Sequence, residues 1–183
     1  MFSKLFAVLL IIFLSPLLLI LSLAIFIEDG FPIFYVQKRF GVNCKTFNIF
    51  KFRSMKKNTP EIATHLLTNP HVYLLKTGRF IRKYSLDELP NLINVVRGDM
   101  VFVGPRPALY NQHDLMENRI SLGISKLIPG ITGWAQINGR DQLSVLQKVQ
   151  LEHEYLNKKS FFLDLYIVYK TVTRVILKKG INH

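Results

Sequence analysis

Between Leu5 and Ile27 the chain reads LFAVLLIIFLSPLLLILSLAIFI, an unbroken apolar run without a charge. As helix it extends roughly 35 Å, enough to cross a bilayer. Ser15-Pro16 falls near its middle. Proline removes a backbone donor and crowds the preceding turn, so a bend is expected there. Two paths fit the pattern. One is a spanning helix with a tolerated kink. The other enters a single leaflet, turns at Ser15-Pro16 and returns to the same face, the serine hydroxyl satisfying a carbonyl freed by the bend. A cleaved leader fits neither the length of the run nor the missing small-residue cleavage motif.

After Glu28-Asp29-Gly30 the period changes. Residues 32–55, PIFYVQKRFGVNCKTFNIFKFRSM, alternate aromatic or β-branched with polar positions around Gly41-Val42-Asn43. This predicts a hairpin, with Lys51 and Arg53 on one side of its second strand. Residues 56–70 read as a loop with a short helix, and Thr77–Lys83 opens a basic helix. Ser85–Val96 reads as helix: Ser85 with Glu88 three residues later matches a capping box, and Gly98 is a stop. MVFVGPRP, residues 100–107, is a short strand broken by Gly104-Pro105-Arg106-Pro107. Helix is predicted over 108–125 and 142–157. Residues 128–140, punctuated by Gly130, Gly133 and Gly139, read as a loop with little regular structure. Phe161–Lys179 is an amphipathic helix. Lys170, Arg174 and Lys178 recur on one face; Leu165, Val168, Val172, Val175 and Ile176 cover another. It packs on the body or lies in the headgroup layer. The predicted class is α+β, mostly helical. Residues 1–28 form a membrane-anchoring helix and residues 29–183 one membrane-associated body.

Charge sharpens this picture. Lys plus Arg is 24 against 12 acids, a formal net charge of +12. Such a balance suits polyanions: nucleic acid, an anionic membrane or phosphorylated substrates. Only Lys4 among the basic residues precedes the apolar run, so the body is expected in the cytoplasm. A membrane anchor already accounts for attraction to anionic surfaces, which weakens the nucleic-acid reading. Cys44 is the only cysteine and excludes an intrachain disulfide, as suits a reducing compartment. The five histidines show no zinc spacing.

The chemistry concentrates in RKYSLDELPNL, residues 82–92, where Asp87 and Glu88 are adjacent. Capping explains them structurally: Glu88 completes the box and Asp87 complements the helix dipole. The same place suits phosphate chemistry. A helix N-terminus attracts anions and keeps an aspartate ionised, an ionised aspartate can attack phosphorus, and a neighbouring carboxylate can hold Mg²⁺ or manage protons. Phosphoryl transfer needs cations nearby. Arg82, Arg106 and Arg140 are the candidates, and Arg106, locked between two prolines, loses least entropy on gripping a phosphate. Neither G-x-x-x-x-G-K-[ST] nor G-x-G-x-x-G occurs.

The apolar segment with Ser15-Pro16, FNIFKFRSM (47–55), RKYSLDELPNLINVVRGDMVFVGPRP (82–107), PGITGWAQINGR (129–140) and FFLDLYIVYKT (161–171) together resemble the bacterial sugar transferases, the monotopic polyprenyl-phosphate phosphoglycosyl transferases. The length is similar to the small members that lack extra N-terminal membrane helices. The resemblance implies that a UDP-sugar, an N-acetylated hexosamine derivative by expectation, gives its phosphosugar to polyprenyl (undecaprenyl) phosphate, and UMP leaves. It implies a ping-pong route with Mg²⁺, Asp87 as the nucleophile and Glu88 as its partner, the metal held by Asp87, Glu88 or both. Arg82, Arg106, Arg140 and Lys51 are then the phosphate-binding set. Ser15 and Pro16 match a helix break, which favours the re-entrant path at the cytoplasmic face of the bacterial inner membrane. The implied partners are the UDP-sugar, the polyprenyl phosphate and inner-membrane lipids; no nucleic acid is expected, and a homodimer stays open, with no heptad or other assembly signal for it. The product would start O-antigen, capsule, exopolysaccharide or glycoprotein synthesis. Two other readings predict different behaviour. A membrane-tethered basic binding module tolerates Asp87→Asn, and a one-step transferase forms no covalent adduct.

Overall fold

The structure, a computed structural model, describes residues 2–60, 69–139 and 142–177. The apolar segment is a single helix, α1 (Phe2–Asp29), that continues through Pro16 rather than breaking there. Pro16 has no N–H for the carbonyl of Ile12, four residues back. The Ser15 hydroxyl donates to that oxygen at 2.7 Å. The local repair was predicted, but it preserves the helix.

One stripe of α1 seats on the body along its whole length. Ala7, Leu10, Ile11 and Leu14 meet Leu92, Val95 and Met100, while Leu17, Leu18, Leu21 and Ile25 meet Phe52, Leu75 and Ile81. The three-to-four spacing puts these residues on one face. Leu5, Leu9, Ile12, Phe13, Leu19, Ile20, Leu23 and Ile27 are exposed on the others. Both ends are tied down. Lys4 Nζ donates to the carbonyl of Arg97 at 3.5 Å. At the far end the Glu28 carboxylate accepts from the N–H groups of Lys76 and Thr77, and Asp29 pairs with Arg53 at 3.0 Å.

The hairpin forms as predicted. Strands β1 (Phe34–Phe40) and β2 (Thr46–Phe52) pair antiparallel, with Tyr35 opposite Lys51 and Arg39 opposite Phe47. Tyr35, Gln37 and Arg39 therefore share a face with Lys51. Asn94, fully buried, clamps this hairpin: its Oδ1 accepts from Phe50 N at 3.2 Å and its Nδ2 donates to Asn48 O at 2.7 Å. Lys51 and Arg53 diverge in use. Lys51 reaches Glu88, and Arg53 donates to the carbonyls of Asp29 and Gly30 at the end of α1.

Three short helices follow: α2 (Pro70–Tyr73), α3 (Lys76–Lys83) and α4 (Asn91–Arg97). The helix predicted from Ser85 is not continuous. Ser85 is left-handed at φ +53° and makes no cap, Leu86–Glu88 form a single 3₁₀ turn, and α4 begins after Pro90. The capping box fails because Glu88 is drawn to Lys51 and Arg106, whose charged bonds are stronger than a cap. Gly98 stops α4 as predicted, at φ +91° with its N–H on the carbonyls of Asn94 and Val95.

The glycine-rich stretch is more ordered than its composition suggests. Strand β3 (Val101–Val103) pairs in parallel with β4 (Gly130–Thr132), and α6 (Trp134–Ile137) follows. Helix α5 (His113–Ser121) occupies only part of the stretch predicted helical, and a 3₁₀ turn takes Ile124–Lys126. Helix α7 (Val145–Lys158) carries the capping box of the described residues, between Ser144 and Gln147.

The last helix, α8 (Phe161–Leu177), seats Ile167 against Val103, Ile137 and Tyr155. Its Thr171 hydroxyl lies 2.7 Å from that of Thr132 in β4. The apolar face predicted from sequence points outward: Leu165, Val168 and Val172 are exposed, beside Phe161, Phe162 and Tyr169. Lys178 lies outside the described residues.

Candidate active site

Asp87 and Glu88 sit on the 3₁₀ turn between α3 and α4, facing the hairpin. Three segments converge on the pair, two of them distant in sequence. From β2, Lys51 Nζ meets Glu88 Oε1 at 2.7 Å. From the loop after β3, Arg106 Nη2 meets the same oxygen at 3.3 Å. From α3, Arg82 stands within electrostatic reach of Asp87, its Nε donating to the Ser54 hydroxyl at 2.8 Å. Lys51, Arg82 and Arg106 were all singled out in the sequence, and the fold gathers them around the two carboxylates. Arg140 lies outside the described residues.

A fourth cation was missed. Arg39 of β1 lines a small cavity with Glu88, Asn91, Arg106 and Pro107. Its Nη1 donates to the carbonyl of Pro107 at 3.1 Å, and its Nε and Nη2 donate to Gln37 Oε1 at 3.1 and 2.6 Å. The signal was present in the strand alternation, because Arg39 shares Lys51's face of the hairpin. Without the position of the Gly-Pro-Arg-Pro loop, nothing separated it from the other basic residues of the hairpin.

The electrostatics are those of a crowded, partly dry site. Burial pushes the Asp87 carboxyl above its ordinary range, and the neighbouring Glu88 charge adds to this; Lys51 and Arg82 oppose it. A helix end at this position was expected to keep Asp87 ionised. The turn ahead of α4 supplies no such cap, and burial dominates. Burial lowers Arg82, with Asp87 opposing. Burial, then the charge of Arg106, takes Arg39 down to about 10. Arg39 and Arg82 both stay protonated at neutral pH. Four cations therefore surround two carboxylates, leaving a surplus of positive charge. Such a cluster is arranged to receive an anion.

Residues 1–178 match the family of bacterial sugar transferases. The chain belongs to that family. It is 41% identical to an uncharacterized sugar transferase, EpsL, of Bacillus subtilis, covering 92% of this chain and 82% of the relative. It is 37% identical to the UDP-glucose:undecaprenyl-phosphate glucose-1-phosphate transferase of Escherichia coli, over 95% of this chain but 39% of that protein. It is 34% identical to the UDP-N-acetylgalactosamine-undecaprenyl-phosphate N-acetylgalactosaminephosphotransferase of Aeromonas hydrophila, over 91% of this chain and 40% of the relative. The chain thus spans about two fifths of each of these two longer enzymes.

For a sugar transferase the donor set at the turn suits Mg²⁺. Two adjacent carboxylates offer hard oxygen ligands, and among the described residues no cluster of three or more His, Cys, Asp or Glu stands together. Mg²⁺ commonly takes one or two carboxylates and completes its shell with water and substrate phosphates. Asp87 and Glu88 are the residues that could hold such an ion.

Proposed function

We propose that this sugar transferase moves a phosphosugar from a UDP-sugar to undecaprenyl phosphate, at the cytoplasmic face of the bacterial inner membrane, through a covalent intermediate on Asp87. The observation that carries the reading is the pair Asp87-Glu88 enclosed by Lys51, Arg82, Arg106 and Arg39. An Asp87 oxygen attacks the sugar-side phosphorus of the donor. The bond from that phosphorus to the UMP oxygen breaks, and UMP leaves with the electron pair. An oxygen of undecaprenyl phosphate then attacks the same phosphorus, and the Asp87–phosphorus bond breaks to restore the carboxylate. Lys51, Arg82 and Arg106, with Arg140, hold the phosphates and offset charge that builds on their oxygens. Glu88 keeps Lys51 and Arg106 in place. Asp87, Glu88 or both would hold Mg²⁺, which supplies further neutralisation of the diphosphate. One phosphate site then serves both half-reactions, because UMP departs before the lipid acceptor reacts. The product starts a glycoconjugate.

Membrane placement follows the same logic. An apolar helix with one stripe on the body and the remaining faces exposed suits lipid around it. Lys4 and Glu28, at opposite ends of α1, both bond to the body. A helix crossing the bilayer would carry one end roughly 30 Å away from it. This supports a helix that does not cross the bilayer, with both ends in the cytoplasm and the outward aromatic face of α8 in the headgroup layer. In a Cys44→Ser background, single cysteines at Ser3 and Phe31 are expected to react with an impermeant maleimide only from the cytoplasmic side. Labelling of position 3 from the periplasm would establish a spanning helix.

The decisive assay uses detergent-solubilised protein, Mg²⁺ and a panel of UDP-sugars, with and without undecaprenyl phosphate. UDP-N-acetylhexosamines, the expectation from the resemblance, stand beside UDP-glucose. One donor is expected to release UMP, and without acceptor the intact mass should rise by one sugar phosphate. Turnover without that adduct would favour direct transfer. No release by folded protein from any donor would favour a binding module.

A further inference from the structure

The loop that carries Arg106 is held on four consecutive carbonyls. Pro105 O accepts from Gly130 N at 2.9 Å, Pro107 O from Arg39 Nη1 at 3.1 Å and Ala108 O from Phe40 N at 2.9 Å. The fourth, the carbonyl of Arg106 itself, accepts from Nη2 of Arg119 at 3.0 Å. Arg119 comes from α5 and is 5% exposed. Its Nε meets Glu152 Oε2 at 2.7 Å, and its Nη2 meets the other carboxylate oxygen. Glu152 comes from α7 and is 4% exposed. Desolvating two charges is costly, and apolar residues of equal volume often stabilise a core as well or better. The pair is therefore weakly justified as packing alone. Its second bond suggests what else it does.

The geometry points to Arg119 and Glu152 as positioning residues for the transferase reaction. Glu152 fixes the plane of the Arg119 guanidinium, and that fork sets the backbone from which Arg106 reaches Glu88. A fork can serve the carboxylate and the carbonyl together; a lysine ammonium keeps the charge without the fixed two-way geometry. A shift of about 1 Å in a group that grips substrate costs up to roughly a hundredfold. The inference rests on reading Arg106 as a phosphate ligand.

Four proteins test it by donor KM, kcat and thermal unfolding: wild type, Arg106→Ala, Arg119→Lys and the double variant. Arg119→Lys is expected to unfold within a few degrees of wild type and to raise donor KM about tenfold, with a smaller change in kcat. In the Arg106→Ala background, Arg119→Lys should add nothing. Wild-type KM in Arg119→Lys, or an equal penalty in both backgrounds, overturns the positioning role while leaving Arg106 as a ligand. An Arg106→Ala protein with unchanged KM removes the underlying reading instead, and the positioning role with it. If Arg119→Lys fails to fold, Arg119→Met with Glu152→Met replaces the ion pair by an apolar one, and the same comparison applies. If that pair also fails to fold, or folds with wild-type KM, the ion pair is structural and the proposal falls.

Discussion

Replacing Asp87 by asparagine is expected to lower UMP release by at least about a thousandfold and to abolish the phosphosugar adduct. The substitution keeps shape and removes only the ionised oxygen that attacks phosphorus. It should also stabilise the fold at neutral pH. Burial, and secondarily Glu88, raise the Asp87 carboxyl above its ordinary value. A raised value means that the folded protein holds this proton more tightly than the unfolded chain does. The stabilising contribution is then present in acid, below the ordinary carboxylate value, and is lost as pH rises through the raised value. Wherever Asp87 is ionised its charge is a net cost, which asparagine relieves. The thermal midpoint of Asp87→Asn should therefore exceed that of wild type at pH 7, and the difference should shrink as the pH falls toward 4. Nucleophiles held at the expense of stability are common at active sites. Robust UMP release by the variant would remove Asp87 as nucleophile. A variant less stable than wild type at pH 7 would contradict the electrostatic account.

The same residue shows how far the sequence could be read. The vicinal carboxylates were legible as a candidate because they follow a basic run just ahead of an apolar helix, although capping alone also explained them. Their local conformation was not. Ser85 and Glu88 satisfy the spacing of a capping box, but Glu88 answers to Lys51 and Arg106, which lie 37 and 18 positions away. Local propensity lost to a tertiary ion pair. Arg39 was hidden for a related reason, since its partners Pro107 and Glu88 are distant in sequence. The hairpin was legible because alternation with period two needs no tertiary information. Helix α8 shows the limit of amphipathic reasoning. Its periodicity identified a helix, yet the apolar face read from it, with Leu165, Val168 and Val172, points outward, and Ile167, outside that reading, is what packs inward. Hydrophobicity marks what avoids water. It does not distinguish protein from lipid as the alternative. The glycines of residues 128–140 mislead differently: composition reads them as freedom of the backbone, but Gly130 and Gly133 serve close approach to Gly104.

Gly130→Ala is accordingly expected to be among the most damaging single substitutions in the body. A Cβ at this position would lie 2.1 Å from Gly104 N, 2.5 Å from Thr132 O and 2.7 Å from Gly104 Cα. All three are backbone atoms, so no side-chain rotation relieves the overlap. Strands β3 and β4 would have to separate, and the cost should reach about 3 kcal/mol or more. Gly123→Ala supplies the comparison. That residue is left-handed at φ +72°, with nothing within 4 Å of its added Cβ, so only backbone strain of about 1–2 kcal/mol opposes it. Thermal unfolding of the two variants separates crowding from strain. Activity per folded molecule separates them again. Gly130 N holds the Pro105 carbonyl at 2.9 Å, one residue before Arg106. Parting β4 from β3 therefore moves the phosphate-gripping arginine, whereas a Cβ added at Gly123 meets nothing within 4 Å. Gly130→Ala should lose UMP release even where it remains folded, and Gly123→Ala should keep it. Equal stability of the two proteins would mean that the strand pair yields without cost, and the close approach of Gly104 and Gly130 would then not be what fixes the Arg106 loop.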